Sequence, residues 1–166
     1  MTPLRLHLPA EHITLELTPQ PLQPAAQLAH TRSPAAGANV LFAGTTRDSC
    51  DGRPVARLAY ESYGPLALRT LAALARAAVD KHGLCAVSIA HRLGPVPVGE
   101  ESIVIALSAP HRGPAWRAGQ ELLDDCKRRL EVWKREEFVG DPPGEGEWRA
   151  NRDTDADGNP SADSAH

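Results

Sequence analysis

Apolar and polar residues alternate along His12-Ile13-Thr14-Leu15-Glu16-Leu17-Thr18, the two-residue period of a half-buried strand. A Pro/Gln/Ala stretch comes next and predicts a short helix around Leu22 to His30. Gly37-Ala38 opens a second strand through Asn39 to Gly44, and Val55 to Tyr63 resumes as a third, with Leu58 and Tyr60 on one face and Ala59 and Glu61 on the other. Between these two, Thr45 to Pro54 has loop chemistry, punctuated by Asp51-Gly52 and Pro54. Gly64-Pro65 starts the clearest helix, because proline suits the first helical position, where its missing N–H would be unpaired anyway. Leu68, Leu71, Ala72, Ala75, Ala78 and Val79 recur at helical spacing up to a natural stop at Gly83. Ala86 to Leu93 and Glu101 to Ala109 are two more strands, joined by Gly94 to Gly99. A second long helix runs from about Pro114 to Leu130, with Trp116, Gly119, Leu122, Leu123, Cys126 and Leu130 as its apolar side. Val132 to Glu137 is a short extended piece.

Strands outnumber helices, and their order predicts an α+β fold with a mixed, mostly antiparallel sheet and two main helices. Residues 1–150 form one domain in this reading. Residues 151–166 hold no large apolar side chain to offset their own ordering entropy, and are expected to be a disordered tail. A chain of 166 residues with 42% hydrophobic and 23% charged residues has an ordinary globular composition. Its net charge of −3 supplies no global positive field to recruit nucleic acid or an anionic membrane, so any anion site must be local.

The apolar runs fall far short of the ~20 residues a spanning helix needs. The N-terminus is broken by Pro3 and Pro9 and has no apolar signal core. Cys50, Cys85 and Cys126 are odd in number, widely spaced and without a CxxC pair, which argues against a disulfide framework or a structural zinc and favours a reducing cytoplasm. No metal site is expected. Of the 18 basic residues only Lys81, Lys127 and Lys134 are lysine. In a chain whose cations are mostly arginine, a lysine marks a place where a compact amine is wanted. Lys81, late in an amphipathic helix, has no such role in this reading.

Three clusters carry candidate chemistry: Gly44-Thr45-Thr46-Arg47-Asp48 after a strand, Ala109-Pro110-His111-Arg112-Gly113 between strand and helix, and Lys127 with Trp133-Lys134-Arg135-Glu136. They resemble the large, catalytic subunits of molybdopterin synthase, the MoaE family. The likeness extends roughly from Gly37 to Trp148 and takes in Tyr60-Glu61-Ser62-Tyr63-Gly64-Pro65 and His91-Arg92-Leu93-Gly94-Pro95-Val96. Thr46 stands where valine is more usual, and the loop Ser49 to Pro54 and the tail after Ala150 are this chain's own.

The resemblance implies an α/β-hammerhead-like fold and a cytoplasmic sulfurtransferase. A small ubiquitin-like partner would carry a thiocarboxylate on its C-terminal glycine, and its sulfur would pass to cyclic pyranopterin monophosphate to build the molybdopterin dithiolene. The protein would act as a homodimer within a heterotetramer and need no cofactor. The resemblance makes Lys127 and Lys134 catalytic, and places Thr45, Thr46, Arg47, His111, Arg112, Arg135 and Glu136 with both lysines in the substrate site. Sulfur comes from the partner, so no cysteine need carry a persulfide; Cys85 and Cys126 read as small core residues and Cys50 as incidental.

Physical chemistry agrees with such a set. Cyclic phosphate and thiocarboxylate are both anions, and bringing them together requires fixed cations. Each residue also has a plainer reading: Arg47 as a solvated loop arginine paired to Asp48, His111 as packing at a strand–helix corner, Lys127 as a cation at a helix C-terminus, Lys134 as half of a surface pair with Glu136. His91-Arg92 lies inside a strand pattern and reads as structural. The rival function is a non-catalytic module that holds a phosphate ligand or RNA on the same basic patch. At 4% aromatic residues the chain has little with which to stack bases.

Overall fold

The computed structural model describes residues 2–146 and 148–150, so the expected tail at 151–166 lies outside the described residues. Strands β1 (Leu4–Leu8), β2 (Ile13–Thr18), β3 (Ala38–Thr45), β6 (Ala86–Arg92) and β8 (Glu101–Ala109) form a five-stranded sheet in the order β1-β2-β6-β8-β3. Its β2–β6 pair is parallel and the other three are antiparallel. Helices α2 (Gly64–His82) and α3 (Arg112–Arg129) cover one face, and the short α1 (Pro24–Ala29) lies against the other. A second sheet joins β4 (Ser49–Cys50), β5 (Arg53–Ser62), β9 (Val132–Phe138) and β10 (Arg149–Ala150), with β7 (Gly94–Pro97) also pairing with β5. The expected α+β class with a mixed, mostly antiparallel sheet is what forms.

The alternation in the sequence explains the layers. On β6 and β8, Val87, Ile89, Ile105 and Leu107 belong to the main core with Leu71, Ala75, Ala118 and Leu122 of the two long helices. Ala90 and Val104 belong to the opposite face, under Leu22. Both faces of β6 are therefore covered, and every one of its residues is buried. The buried Ser88 of this strand donates to Gln27 Oε1 of α1 at 2.6 Å.

Several boundaries depart from the periodic reading. The N-terminal segment is a strand: Pro9 opens a single 3-10 turn, His12 takes a left-handed φ of 54°, and the chain reverses so that β1 pairs with β2. Gly94–Pro97 is also a strand rather than a simple connector. Helix α3 starts at Arg112, because a helix's first N–H groups lack intrahelical partners and Pro114 fits within that first turn. Trp116, expected on the buried side of α3, is 65% exposed. The helix is apolar over a wider arc than its own core requires.

Candidate functional site

The end of β3 is where the site begins. Gly44 pairs with Ile103 but Thr45 pairs with Glu101, so β8 carries an extra residue, Ser102, opposite this step. A bulge bends a strand and redirects the residues beyond it, and here it turns Thr45 to Arg47 away from the ladder. Ser102 donates to the Gly44 carbonyl at 3.2 Å, closing the irregular turn.

Beside this bulge lies a cavity of about 360 Å³. Gly44 and Thr45 line it from the end of β3 and Arg47 from the segment just after it; Leu123, Cys126 and Lys127 from the last turns of α3; Lys134 and Glu136 from β9. Lys134 and Glu136 share a face of β9 because they are two residues apart, and Tyr60, the register partner of Lys134 on β5, points into the same space. Arg47, Lys127 and Lys134 stand against Glu136, so cations outnumber carboxylates in the wall of an acidic chain. Lys134 Nζ lies 3.6 Å from Glu136 Oε1. Arg47 and Lys127 make no ion pair among the described residues; Asp48, the neighbour expected to neutralise Arg47, accepts from Ser49 Oγ at 3.1 Å instead.

Other candidates sit elsewhere. Thr46 is buried, its Oγ1 donates to the Val96 carbonyl at 3.3 Å, and its backbone exchanges hydrogen bonds with Glu100 and Gly99; it ties the bulge to the turn before β8. Arg135 faces the opposite side of β9, donates to Glu137 Oε1 at 2.8 Å and lies 4.6 Å from the centre of the Trp148 ring. His111 and Arg112 are exposed at the start of α3. Lys127 is fifteen residues along that helix, about 22 Å away at ~1.5 Å per residue. One protomer therefore gathers the first and third clusters and leaves the second at the far end of α3.

The wall also holds groups that the sequence reading did not place in the site: Ser49, Cys50, Tyr60, His91 and Ser102. Cys50 is in the strand β4, half-buried on the cavity wall. Burial, a hydrogen bond to Glu136 and the charges of Glu136 and Asp51 push its thiol up, against the pull of Arg47. Burial pushes the Cys126 thiol up to about 12. Both sulfurs stay thiols at neutral pH, so the cavity's charge comes from the two amines, Arg47 and Glu136. Burial also raises the Tyr60 phenol, against a hydrogen bond with Ser102.

An α+β scaffold that brings two amines and a guanidinium to one cavity has the chemistry to receive an anion. Comparison with known proteins gives the family: residues 17–129 match the model described as MoaE protein. The chain is 72% identical over 156 residues to a molybdopterin synthase catalytic subunit of Coccidioides immitis, covering 94% of this chain and 80% of the relative. It is 62% identical over 150 residues to one from Ajellomyces capsulatus, covering 89% of this chain and 73% of the relative. Among solved structures, molybdopterin synthase from Staphylococcus aureus superposes with a TM-score of 0.74 at 30% identity, covering 80% of this chain and 94% of that one. The chain belongs to the MoaE family. Its function is that of a molybdopterin synthase catalytic subunit, an enzyme subunit of molybdenum cofactor biosynthesis.

Proposed function

We propose that this chain transfers sulfur from the thiocarboxylated C-terminal glycine of a small ubiquitin-like partner to cyclic pyranopterin monophosphate in the cytoplasm. The observation that carries the reading is the convergence of Arg47, Lys127 and Lys134, from three elements, on one cavity. Arg47 offers a planar fork to phosphate oxygens, and the Thr45 hydroxyl adds a donor beside it. The thiocarboxylate sulfur bonds to a side-chain carbon of the pterin as that carbon's bond to oxygen breaks and the oxygen leaves with the electron pair. Water then attacks the partner's acyl carbon, the acyl carbon–sulfur bond breaks, and the partner departs with a C-terminal carboxylate while the sulfur stays on the pterin. Attack places negative charge on the acyl oxygen, and the Lys127 ammonium stabilises it there. Lys134, held near Glu136, supplies the second amine, positioned to exchange a proton with it. A fold relative from Helicobacter pylori was solved as a complex of subunits 1 and 2 of molybdopterin-converting factor, at 21% identity and a TM-score of 0.65.

A second copy of this chain supplies His111 and Arg112. Strand β3 is the outer strand of its sheet, and a groove of about 370 Å³ beside it is lined by Val40, Leu41, Trp116, Gly119 and Leu123. Pairing β3 with its twin about a two-fold axis near Leu41 and Phe42 sets Ala38 of one copy opposite Thr45 of the other. Ala38 is the register partner of Ala109, two residues before His111. His111 and Arg112 then reach the bulge that carries Arg47, and the groove is covered by the same contact.

The RNA-binding alternative fails on placement. Trp133 lies on the face of β9 opposite Lys134, and Trp148 is stacked on Arg135, so neither ring adjoins the cavity.

Purified chain, the thiocarboxylated partner and the pterin precursor test the reading. Lys127→Ala is expected to abolish conversion while the melting temperature stays unchanged, Lys134→Ala to weaken it severely, and Arg47→Ala mainly to weaken precursor binding. Wild-type turnover by Lys127→Ala would remove the catalytic assignment.

A further inference from the structure

We propose that His91 is a substrate-recognition residue whose Nε2 accepts a hydrogen bond from a ring N–H of the bound pterin. The inference rests on the pterin reading above. His91 is fully buried on β6, between its register partners Leu17 and Ile103, and its ring forms part of the cavity wall. Nδ1 lies 2.8 Å from the Arg92 carbonyl oxygen. A carbonyl only accepts, so Nδ1 carries the proton and the neutral ring presents Nε2 as a bare lone pair. That nitrogen has no partner among the described residues. Native folds rarely leave a buried acceptor in this condition, because nothing replaces the water it has lost.

The ring is held in place. Tyr60 meets it edge-on, with ring centres 5.0 Å apart and planes at 72°. The neighbouring hydroxyls are engaged elsewhere: Tyr60 bonds with Ser102, and Ser102 donates to the Gly44 carbonyl. Burial lowers the imidazole to about 4, against the Arg92 hydrogen bond, so it stays an acceptor at neutral pH and adds no charge to an already cationic wall.

The chemistry of the ligand supplies the complement. Arg47, Lys127 and Lys134 are donors, suited to phosphate, carbonyl and thiocarboxylate oxygens. A reduced pterin also presents N–H donors along its fused rings, and these need acceptors. Glu136 is drawn toward Lys134, while the His91 nitrogen is a buried acceptor of the wall with no partner among the described residues.

The test uses the full chain with its partner and cyclic pyranopterin monophosphate. His91→Phe keeps a flat ring against Tyr60 and removes the acceptor; His91→Gln returns an acceptor oxygen. The expected result is a precursor Kd raised about tenfold in His91→Phe, kcat at saturation near wild type, and partial rescue in His91→Gln. In wild-type protein labelled with ¹⁵N-histidine, the Nε2 signal should move upfield from the bare-nitrogen range when the precursor is added. Unchanged Kd in a folded His91→Phe, or an Nε2 signal that ignores the precursor, overturns the assignment. Should His91→Phe not fold, the wild-type nitrogen signal decides alone. A wild-type chain that binds no pterin overturns the function as well, whereas wild-type binding that is indifferent to His91 overturns only the residue.

Discussion

Glu137 shows how a single side chain keeps its neighbours in order. It is buried on β9, next in sequence to Glu136 of the cavity wall, accepting from Arg57 at 2.7 Å and from Arg135 at 2.8 Å. Burial pushes its carboxyl up, but the hydrogen bonds from Arg135 and Arg57 outweigh it and hold the group below the ordinary carboxylate range. The folded value thus lies below the unfolded one, so this stabilisation is present above the unfolded pKa and is lost as pH falls through the folded pKa. Glu137→Gln is expected to lower stability at pH 7 by about 1–3 kcal/mol. The gap to wild type should close as the pH drops below the ordinary value near 4.5. Urea midpoints at several pH values measure this, and a gap that persists undiminished in acid would show that the ion pairs are not its source. At this scale the sequence was partly informative. The scarcity of lysine pointed to Lys127 and Lys134, which the structure brings to one cavity with Arg47. His91 was hidden, since an imidazole inside a strand pattern reads as packing until the cavity behind it is seen. Cys50 was hidden for a related reason: polar loop composition does not reveal a two-residue strand that turns a thiol inward.

Among the elements, the long helices and inner strands were legible because burial imposes one period over many residues. Short pieces such as β7 and β10 owe their conformation to partners distant in sequence, and no local pattern announces them. The junction of β3, β8 and α3 is decided by a still smaller feature. At Gly37 a Cβ would stand 2.5 Å from the Pro110 carbonyl oxygen, a backbone atom that cannot swing aside. Glycine there lets the start of β3 close on the end of β8, with Gly37 N–H donating to the Ala109 carbonyl at 3.1 Å. Gly37→Ala is expected to cost about 1–3 kcal/mol as an overpacking change. It should also speed amide exchange at Ala38 and Asn39 relative to the rest of β3. Wild-type stability and exchange would mean that the contact is relieved without loss.

For the molecule as a whole, fold class could be read from alternation, but the division of the strands into two sheets and the site could not, because both arise only through tertiary packing. Even the folded chain leaves His111 and Arg112 at the opposite end of α3 from Lys127. That separation has a genetic consequence. If each reaction centre borrows its guanidinium from the neighbouring polypeptide, two crippled alleles can repair one another. Chains bearing Lys127→Ala and chains bearing Arg112→Ala are each impaired as pure assemblies. Mixed pairs concentrate both lesions in one centre and leave the other whole, so co-expression should restore up to about half of normal output per mixed pair. Failure of the two alleles to complement, with mixed pairs demonstrably formed, would mean that every centre is built from one polypeptide alone.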